Sequence, residues 1–273
     1  MKTLLASLSL VALLTSSAMA GTCYEDSAVH GRDMPSFAPN NAYGLESFRF
    51  KFTNGDHHIR RIAVEAWKRG STDMLSTSLA DKGNNDPYEF RVCGVKLDKV
   101  PGVKLGTAKV SGRGTGWTSL GVNQMYNYEF VIRGFDLQFK QGDRELRKIM
   151  VEYDRNTRRL NVHFKDDGNP YFTAEIQYAW VPRSRLIPLG TPKKSVNMTR
   201  FNSRAFAGGK GQDTMKLKGQ RGKRMLQSFE FTYKDATHHM DELVLNLWNG
   251  AAALNDKNND DIFRLETKYV VLR

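Results

Sequence analysis

One apolar pattern occurs three times along the chain, and this repetition constrains the fold more than any other feature of the sequence. Its copies span residues 48–64, 135–151 and 229–245. In each copy, alternating apolar and polar residues lead into a four-residue polar turn, and an apolar anchor follows at the same spacing. The anchors are Ile59, Leu146 and Met240. A repeat of this length indicates related structural units in tandem.

The alternation has the period of a β-strand. Phe48, Phe50 and Phe52 would lie on one face of a strand, and Arg49 and Lys51 on the other. Period two with aromatic residues on one side is typical of half-buried antiparallel strands. Residues 143–153 also fit a helical stripe, but their counterparts in the other two copies alternate better as strands. We therefore predict strands in all three copies.

Each copy closes with a turn rich in Asp, Asn and Gly that leads into an aromatic strand, at residues 81–92, 166–172 and 256–265. These residue types tolerate the backbone conformations of tight turns. The sequence therefore predicts an all-β fold of three tandem related antiparallel β-sandwich units. The expected boundaries are 21–100, 101–182 and 183–273.

The first 20 residues have the features of a secretory signal peptide. Lys2 precedes an apolar run from Leu4 to Leu14, and Ala18 and Ala20 occupy the small-residue positions of a cleavage site. The run is shorter than the roughly 20 residues that a membrane span needs. We expect cleavage after Ala20, a periplasmic or extracellular location, and no integral membrane insertion.

The chain contains two cysteines, Cys23 and Cys93. An even number in an exported protein favours a disulfide bond. A catalytic cysteine is the less favoured alternative, because Cys23 is nearly terminal and Cys93 falls in a regular strand.

The chain is strongly basic, with 41 Lys and Arg against 29 Asp and Glu and a formal net charge of +12. Such a charge informs about partners rather than fold. The partners it suggests are anionic polysaccharide, lipopolysaccharide, a membrane surface and extracellular DNA; a merely basic secreted protein is the alternative. The cations concentrate in residues 183–194 and 216–224, and the second segment supplies the candidate ligand-binding residues Lys216, Lys218, Arg221, Lys223 and Arg224.

Two acidic loops are candidate Ca²⁺ sites. Their oxygen-bearing side chains, at the close spacing that Ca²⁺ ligands can have, are Asp81, Asn85, Asp86, Asp256, Asn258 and Asp260. Ordinary hairpin turns are the favoured alternative. The pairs His57-His58 and His238-His239 could ligate a transition metal, but neighbouring residues of a strand point to opposite faces. We expect structural roles for these histidines and for His163.

The sequence has no G-x-S-x-G, H-E-x-x-H or P-loop motif, which favours a binding protein over an enzyme. Trp117, in a Gly-rich stretch beside Arg113, is the best candidate for an exposed aromatic ligand platform. The layout of small Phe-led β units that end in aromatic strands resembles H-type lectins, which implies glycan binding and threefold association. That resemblance supplies no site residues.

From these features we expect a secreted, non-catalytic protein that binds a glycan or anionic polymer at the cell surface or in the extracellular matrix. The second hypothesis is a self-associating structural or adhesive matrix protein. A secreted enzyme or toxin is the third.

Overall fold

The fold is almost entirely β-structure. The computed structural model describes residues 21–28, 32–33, 43–53, 58–69, 72–80, 87–121, 125–140, 146–166, 168–189, 200–234, 240–255 and 262–273. In these ranges all strand pairs are antiparallel. Two short 3₁₀ turns, Met125–Asn127 and Arg183–Arg185, accompany them.

Within the described ranges, each predicted unit contributes six strands. The first contains β1 (Gly21–Ala28), β2 (Arg32–Asp33), β3 (Tyr43–Phe52), β4 (Arg61–Arg69), β5 (Thr72–Ala80) and β6 (Tyr88–Lys96). The second contains β7 (Lys104–Arg113), β8 (Thr115–Ser119), β9 (Tyr128–Phe139), β10 (Lys148–Asp154), β11 (Arg159–Lys165) and β12 (Tyr171–Pro182). The third contains β13 (Ser203–Lys210), β14 (Gln212–Thr214), β15 (Arg224–Tyr233), β16 (Glu242–Asn246), β17 (Ala251–Asn255) and β18 (Ile262–Val271). The predicted all-β fold of related antiparallel units is confirmed, and the 148–154 segment is a strand.

Every sheet is shared between two units. Sheet I has the strand order β1-β6-β3-β16-β17-β14. The remaining twelve strands form one ladder in which β8 and β7 are joined by a single residue pair, Arg113 and Thr115, across a turn at Gly114. This turn divides the ladder into sheet II, β13-β18-β15-β10-β11-β8, and sheet III, β7-β12-β9-β4-β5-β2. Each sheet therefore joins three strands of one unit to three strands of the next, and the three units close a ring.

The first phenylalanine of each repeat lies where the three units meet. Phe48, Phe135 and Phe229 are all at most 1 % exposed. Their ring centroids are 5.3, 5.4 and 5.4 Å apart, in tilted and edge-on arrangements that aromatic pairs prefer. The near-equal distances indicate a pseudo-threefold axis through this triangle.

The residues four positions before these phenylalanines form a second contact between the three units. A Cβ added to Gly44 would lie 2.7 Å from Met225 Sδ and 2.9 Å from Val131 Cγ1. Glycine at position 44 thus lets the two larger side chains of the other units pack against its backbone.

The strands that meet at each unit boundary carry one ion pair at equivalent positions. Arg61 pairs with Asp136 at 2.7 Å, Lys148 with Glu230 at 2.8 Å, and Arg49 with Glu242 at 2.6 Å. In the third pair the cation and the anion exchange strands. The first unit therefore contributes two cations, the third unit contributes two anions, and the second unit contributes one cation and one anion. Reversing the cyclic order of the units would place like charges at two of the three boundaries. The charges therefore favour the observed order of the ring.

Cys23 and Cys93 face each other across the β1–β6 pair and form the predicted disulfide. It joins the first strand of the described chain to the strand that closes the first unit.

Candidate functional site

A large cleft opens on the outer side of sheet II, between the second and third units. Its volume is about 920 Å³. The hairpin between β10 and β11 forms one wall, and the segments around residues 183 and 200–202 form another. Because the cleft lies between units, its lining comes from distant parts of the sequence.

The cleft combines cations, carboxylates, amides and aromatic rings. The cations are Arg155, Arg158, Arg183, Arg200 and Lys268. The carboxylates are Glu129, Glu152 and Asp154, and the amides are Asn127, Asn156, Asn202 and Gln227. The aromatic side chains are Tyr126, Phe130, Tyr153 and Phe201. Five cations against three anions leave the lining positively charged.

Glu129 organises one side of the cleft. The residue is 4 % exposed, and its Oε1 accepts from Arg183 Nε at 2.9 Å and lies 3.2 Å from Arg155 Nη2. Its Oε2 accepts from Gln227 Nε2 at 3.0 Å. Burial raises the pKa of Glu129, and Arg183 and Gln227 partly offset this effect. Glu129 therefore fixes two arginines and one amide, and both of its oxygens are occupied.

Asp154 shapes the hairpin that bears Arg155 and Arg158. Its Oδ1 accepts from the Asn156 backbone N–H at 2.9 Å and its Oδ2 from Thr157 Oγ1 at 2.8 Å. Partial burial raises the pKa of Asp154, but these hydrogen bonds outweigh burial, and the net pKa is lowered. Arg158 has φ 56°, the left-handed conformation that a tight turn needs.

The aromatic floor of the cleft is closely packed. The Phe130 ring stacks on the Tyr153 ring with centroids 5.2 Å apart, and Trp180 meets Tyr153 edge-on at 5.1 Å. Tyr126 stands apart from this cluster at 73 % exposure, with its hydroxyl 3.5 Å from Arg158 Nη2. The rings of the floor pack against one another, whereas the Tyr126 ring is exposed to a ligand.

The aromatic candidate from the sequence, Trp117, lies on the outer face of sheet II and is 53 % exposed. The guanidinium of Arg159 lies 3.7 Å from its ring centroid, within cation–π distance. Arg113 is exposed at the turn between sheets III and II.

The basic segment 216–224 lies outside the cleft. Lys216, Lys218 and Arg221 are exposed, and Lys223 is half-buried. Arg224 differs: it is 5 % exposed and donates to the carbonyl oxygens of Lys218 at 3.0 Å and Leu247 at 2.7 Å. Burial of its guanidinium against backbone carbonyls gives Arg224 a structural position rather than an accessible one.

The six proposed Ca²⁺ ligands fall in 81–86 and 256–261, outside the described residues. Calcium binding there stays a prediction. Among the described residues, no cluster of three or more His, Cys, Asp or Glu side chains could hold a metal ion.

His163 is half-buried on β11, and the other predicted His positions are His58, also half-buried, and residues 57, 238 and 239, which are not described. Burial lowers the pKa of His163 to about 4, and Lys148 and Lys165 add to the effect. The imidazole is therefore neutral at physiological pH.

The arginines of the hairpin and Lys268 were not selected from the sequence. The run Asp154-Arg-Asn-Thr-Arg-Arg159 was the available signal, because it places three arginines around a tight turn. Nothing in the local sequence connects it to Lys268, which follows more than a hundred residues later in another unit.

No family model and no curated protein matches this chain. Among solved structures, it is similar to the major capsid protein P2 from bacteriophage PM2, with 6 % identity and a TM-score of 0.25, covering 59 % of this chain and 97 % of that chain. A putative secreted protein from Eubacterium rectale has 6 % identity and a TM-score of 0.11, covering 91 % of this chain and 74 % of that chain. Similarities this weak do not inform about the function of this chain. In the part of the chain that the structure describes, no helix is long and apolar enough to cross a membrane.

Proposed function

We propose that this chain is a secreted, non-catalytic protein that binds an acidic glycan in the cleft between its second and third units. The observation that most supports this proposal is that five cationic side chains and an exposed tyrosine line one cavity of about 920 Å³. The proposal keeps the ligand class expected from the sequence and moves the binding site from residues 216–224 to the cleft.

Two arginines of the cleft are available to an anionic group. Arg158 and Arg200 are exposed, and neither pairs with a carboxylate among the described residues. Arg155 and Arg183, in contrast, are held by Glu129. A guanidinium binds carboxylate or sulfate through two parallel hydrogen bonds. Arg158 and Arg200 are therefore the groups that recognise the acid functions of the ligand.

The other lining residues suit a sugar. The exposed Tyr126 ring offers a flat apolar face for a pyranose ring, and Asn127, Asn156 and Asn202 can both donate to and accept from hydroxyl groups. The three carboxylates of the cleft, whose oxygens are engaged by neighbouring side chains and backbone groups, repel the continuous phosphate backbone of a nucleic acid. This mixture favours a hydroxyl-rich acidic glycan over a nucleic acid.

The cleft also argues for binding without catalysis. Glu129 has a raised pKa, which general acids often have. However, its oxygens are engaged by Arg155, Arg183 and Gln227, so no oxygen is free to transfer a proton to a ligand. These contacts indicate that Glu129 stabilises the positions of the neighbouring side chains in the cleft.

The proposal predicts that acidic glycans bind more tightly than neutral ones on a glycan array. The double variant Arg158→Ala/Arg200→Ala should weaken binding to the acidic ligands at least tenfold, since each lost charge-assisted hydrogen bond contributes about 1.5 kcal/mol or more. The affinity should also fall with rising salt.

The matched control is Lys216→Ala/Lys218→Ala, which removes the same charge from exposed positions that do not line the cleft. This control should change the affinity less than twofold. If the control weakens binding and the cleft variant does not, the ligand binds at the 216–224 segment. An array without preference for acidic glycans would contradict the proposal itself.

Self-association is the alternative function. In its favour, Phe206 is 52 % exposed on β13, the terminal strand of sheet II. Exposed apolar side chains on a terminal strand promote contacts between copies. Concentration-dependent association without glycan, abolished by Phe206→Ser, would support this alternative.

A further inference from the structure

A single row of side chains crosses all six strands of sheet II and passes through the cleft. The row is Trp117, Asn161, Glu152, Ser228, Lys268 and Arg204, each directly opposite the next on the neighbouring strand. Opposed residues of antiparallel strands project from the same face. Five strand spacings of about 4.8 Å give this cross-sheet row a length of about 24 Å.

Two cavities on sheet II overlap along the cross-sheet row. The cleft and a smaller cavity of about 220 Å³ share Glu152, Ser228 and Lys268, and the smaller cavity extends to Arg204. Lys268 Nζ pairs with Glu152 Oε1, so the middle of the row presents a donor and an acceptor side by side. The cleft and the smaller cavity therefore form one continuous groove, which extends to β13, the terminal strand of the sheet.

The two ends of the row carry different groups. At one end Trp117 is 53 % exposed, with Arg159 against its ring. At the other end, the Arg204 side chain is half exposed and lies 3.5 Å from Glu266. One end thus offers an aromatic face and the other a guanidinium.

The other two sheets provide an internal comparison, because they have the same strand arrangement. The counterparts of Ser228, Lys268 and Arg204 are Ser47, Cys93 and Cys23 in sheet I. In sheet III they are Gly134, Gln177 and Thr107. Neither set contains a cation at these positions. The pseudo-threefold fold therefore does not require Lys268 and Arg204, which distinguish sheet II.

We propose that sheet II binds an internal stretch of an acidic polysaccharide chain, laid along the cross-sheet row from Trp117 to Arg204. This inference rests on the proposed function and adds that the ligand is a polymer several sugars long, engaged outside the cleft at both ends. The row ends at Arg204 on the terminal strand, and a continuing chain can leave the sheet there.

Binding of heparin-derived oligosaccharides, from disaccharide to decasaccharide, to the mature chain tests the inference by calorimetry. Affinity should rise with length until the row is filled. Trp117→Ala and Arg204→Ala should each lower the affinity for the decasaccharide about fivefold or more and leave that for the disaccharide within about twofold. Leu105→Ala, at a comparably exposed position on β7 of sheet III, is the control and should have no effect.

The outcomes separate the two proposals. If the decasaccharide binds through Arg158 and Arg200 but Trp117→Ala and Arg204→Ala leave its affinity unchanged, the extended mode is wrong and the cleft site stands. If no oligosaccharide binds, the proposed function fails. If single-stranded DNA of matching length and charge binds as tightly, with the same loss on Trp117→Ala, the ligand class is wrong.

Discussion

Replacing Phe135 with alanine is expected to lower the free energy of unfolding by about 4 kcal/mol. Large-to-small changes of a buried phenylalanine cost about 3–5 kcal/mol, because transfer energy is lost and a cavity remains. Phe135 is fully buried and contacts Phe48 and Phe229 of the two other units, so the cavity would open where all three units meet. In a protein of this size the melting temperature should fall by about 10 °C.

The pseudo-threefold arrangement extends this prediction to the two other phenylalanines. Phe48→Ala and Phe229→Ala should cost the same as Phe135→Ala within about 1 kcal/mol, because each ring has two equivalent neighbours. Phe206→Ala, at a position that is 52 % exposed, is the control and should change stability by less than about 0.5 kcal/mol. Urea unfolding of the four variants measures the differences. A Phe135→Ala cost no larger than the control would show that the three phenylalanines do not form the central contact.

Glu46→Gln is expected to stabilise the protein at alkaline pH. Glu46 is 2 % exposed, and burial raises its pKa from 4.5 to about 7, although Arg224 and the backbone N–H groups of Gly222 and Arg224 act in the opposite direction. The side chain occupies a bulge of β3 and approaches the third unit there. An ionised carboxylate at this position is poorly compensated.

The direction of the pH dependence follows from linkage. The folded protein binds the Glu46 proton more tightly than the unfolded chain does, so the protonated group is most favourable below about pH 4.5. Stability is lost as the pH rises from 4.5 to about 7, by about 3 kcal/mol in total. Glutamine stays neutral and avoids this loss.

Urea unfolding of the wild type and Glu46→Gln at several pH values tests this result. The stability difference should be small near pH 4.5 and should approach 3 kcal/mol above pH 7. Glu89→Gln, at an exposed position on β6, should give a difference that does not vary in this way. A Glu46→Gln difference that is constant across the pH range would rule out a buried carboxylate with a raised pKa.

Much of the local structure could be predicted because burial and strand period leave a direct pattern in the sequence. Phe48, Phe50 and Phe52 alternate with polar residues, and all three are buried on one face of β3. The pairing of strands between units could not be predicted. Alternation shows which face of a strand is buried but not which strand lies beside it. The partners of the ion pairs at the unit boundaries are also far apart in the sequence, and Arg49 and Glu242 are separated by 193 residues.

Only part of the candidate site has a local signal in the sequence. Trp117 was selected because a tryptophan in a Gly-rich stretch is a local signal, and the structure places it at the end of the cross-sheet row. Lys268 and Arg204 belong to strands with ordinary alternation, and only the sheet order brings them into line with Trp117. Arg224 shows the opposite case, because a cation in a basic run was selected although its side chain is buried.

Hydrogen–deuterium exchange of the mature chain, with and without a saturating acidic decasaccharide, tests the central claim most directly. The claim is that the ligand lies in the cleft and along the outer face of sheet II. We expect slower exchange in the β10–β11 turn, residues 155–158, and around residues 200–202, with no change in 216–223. Protection confined to 216–223, or no protection at any described segment, would contradict a glycan site between the second and third units.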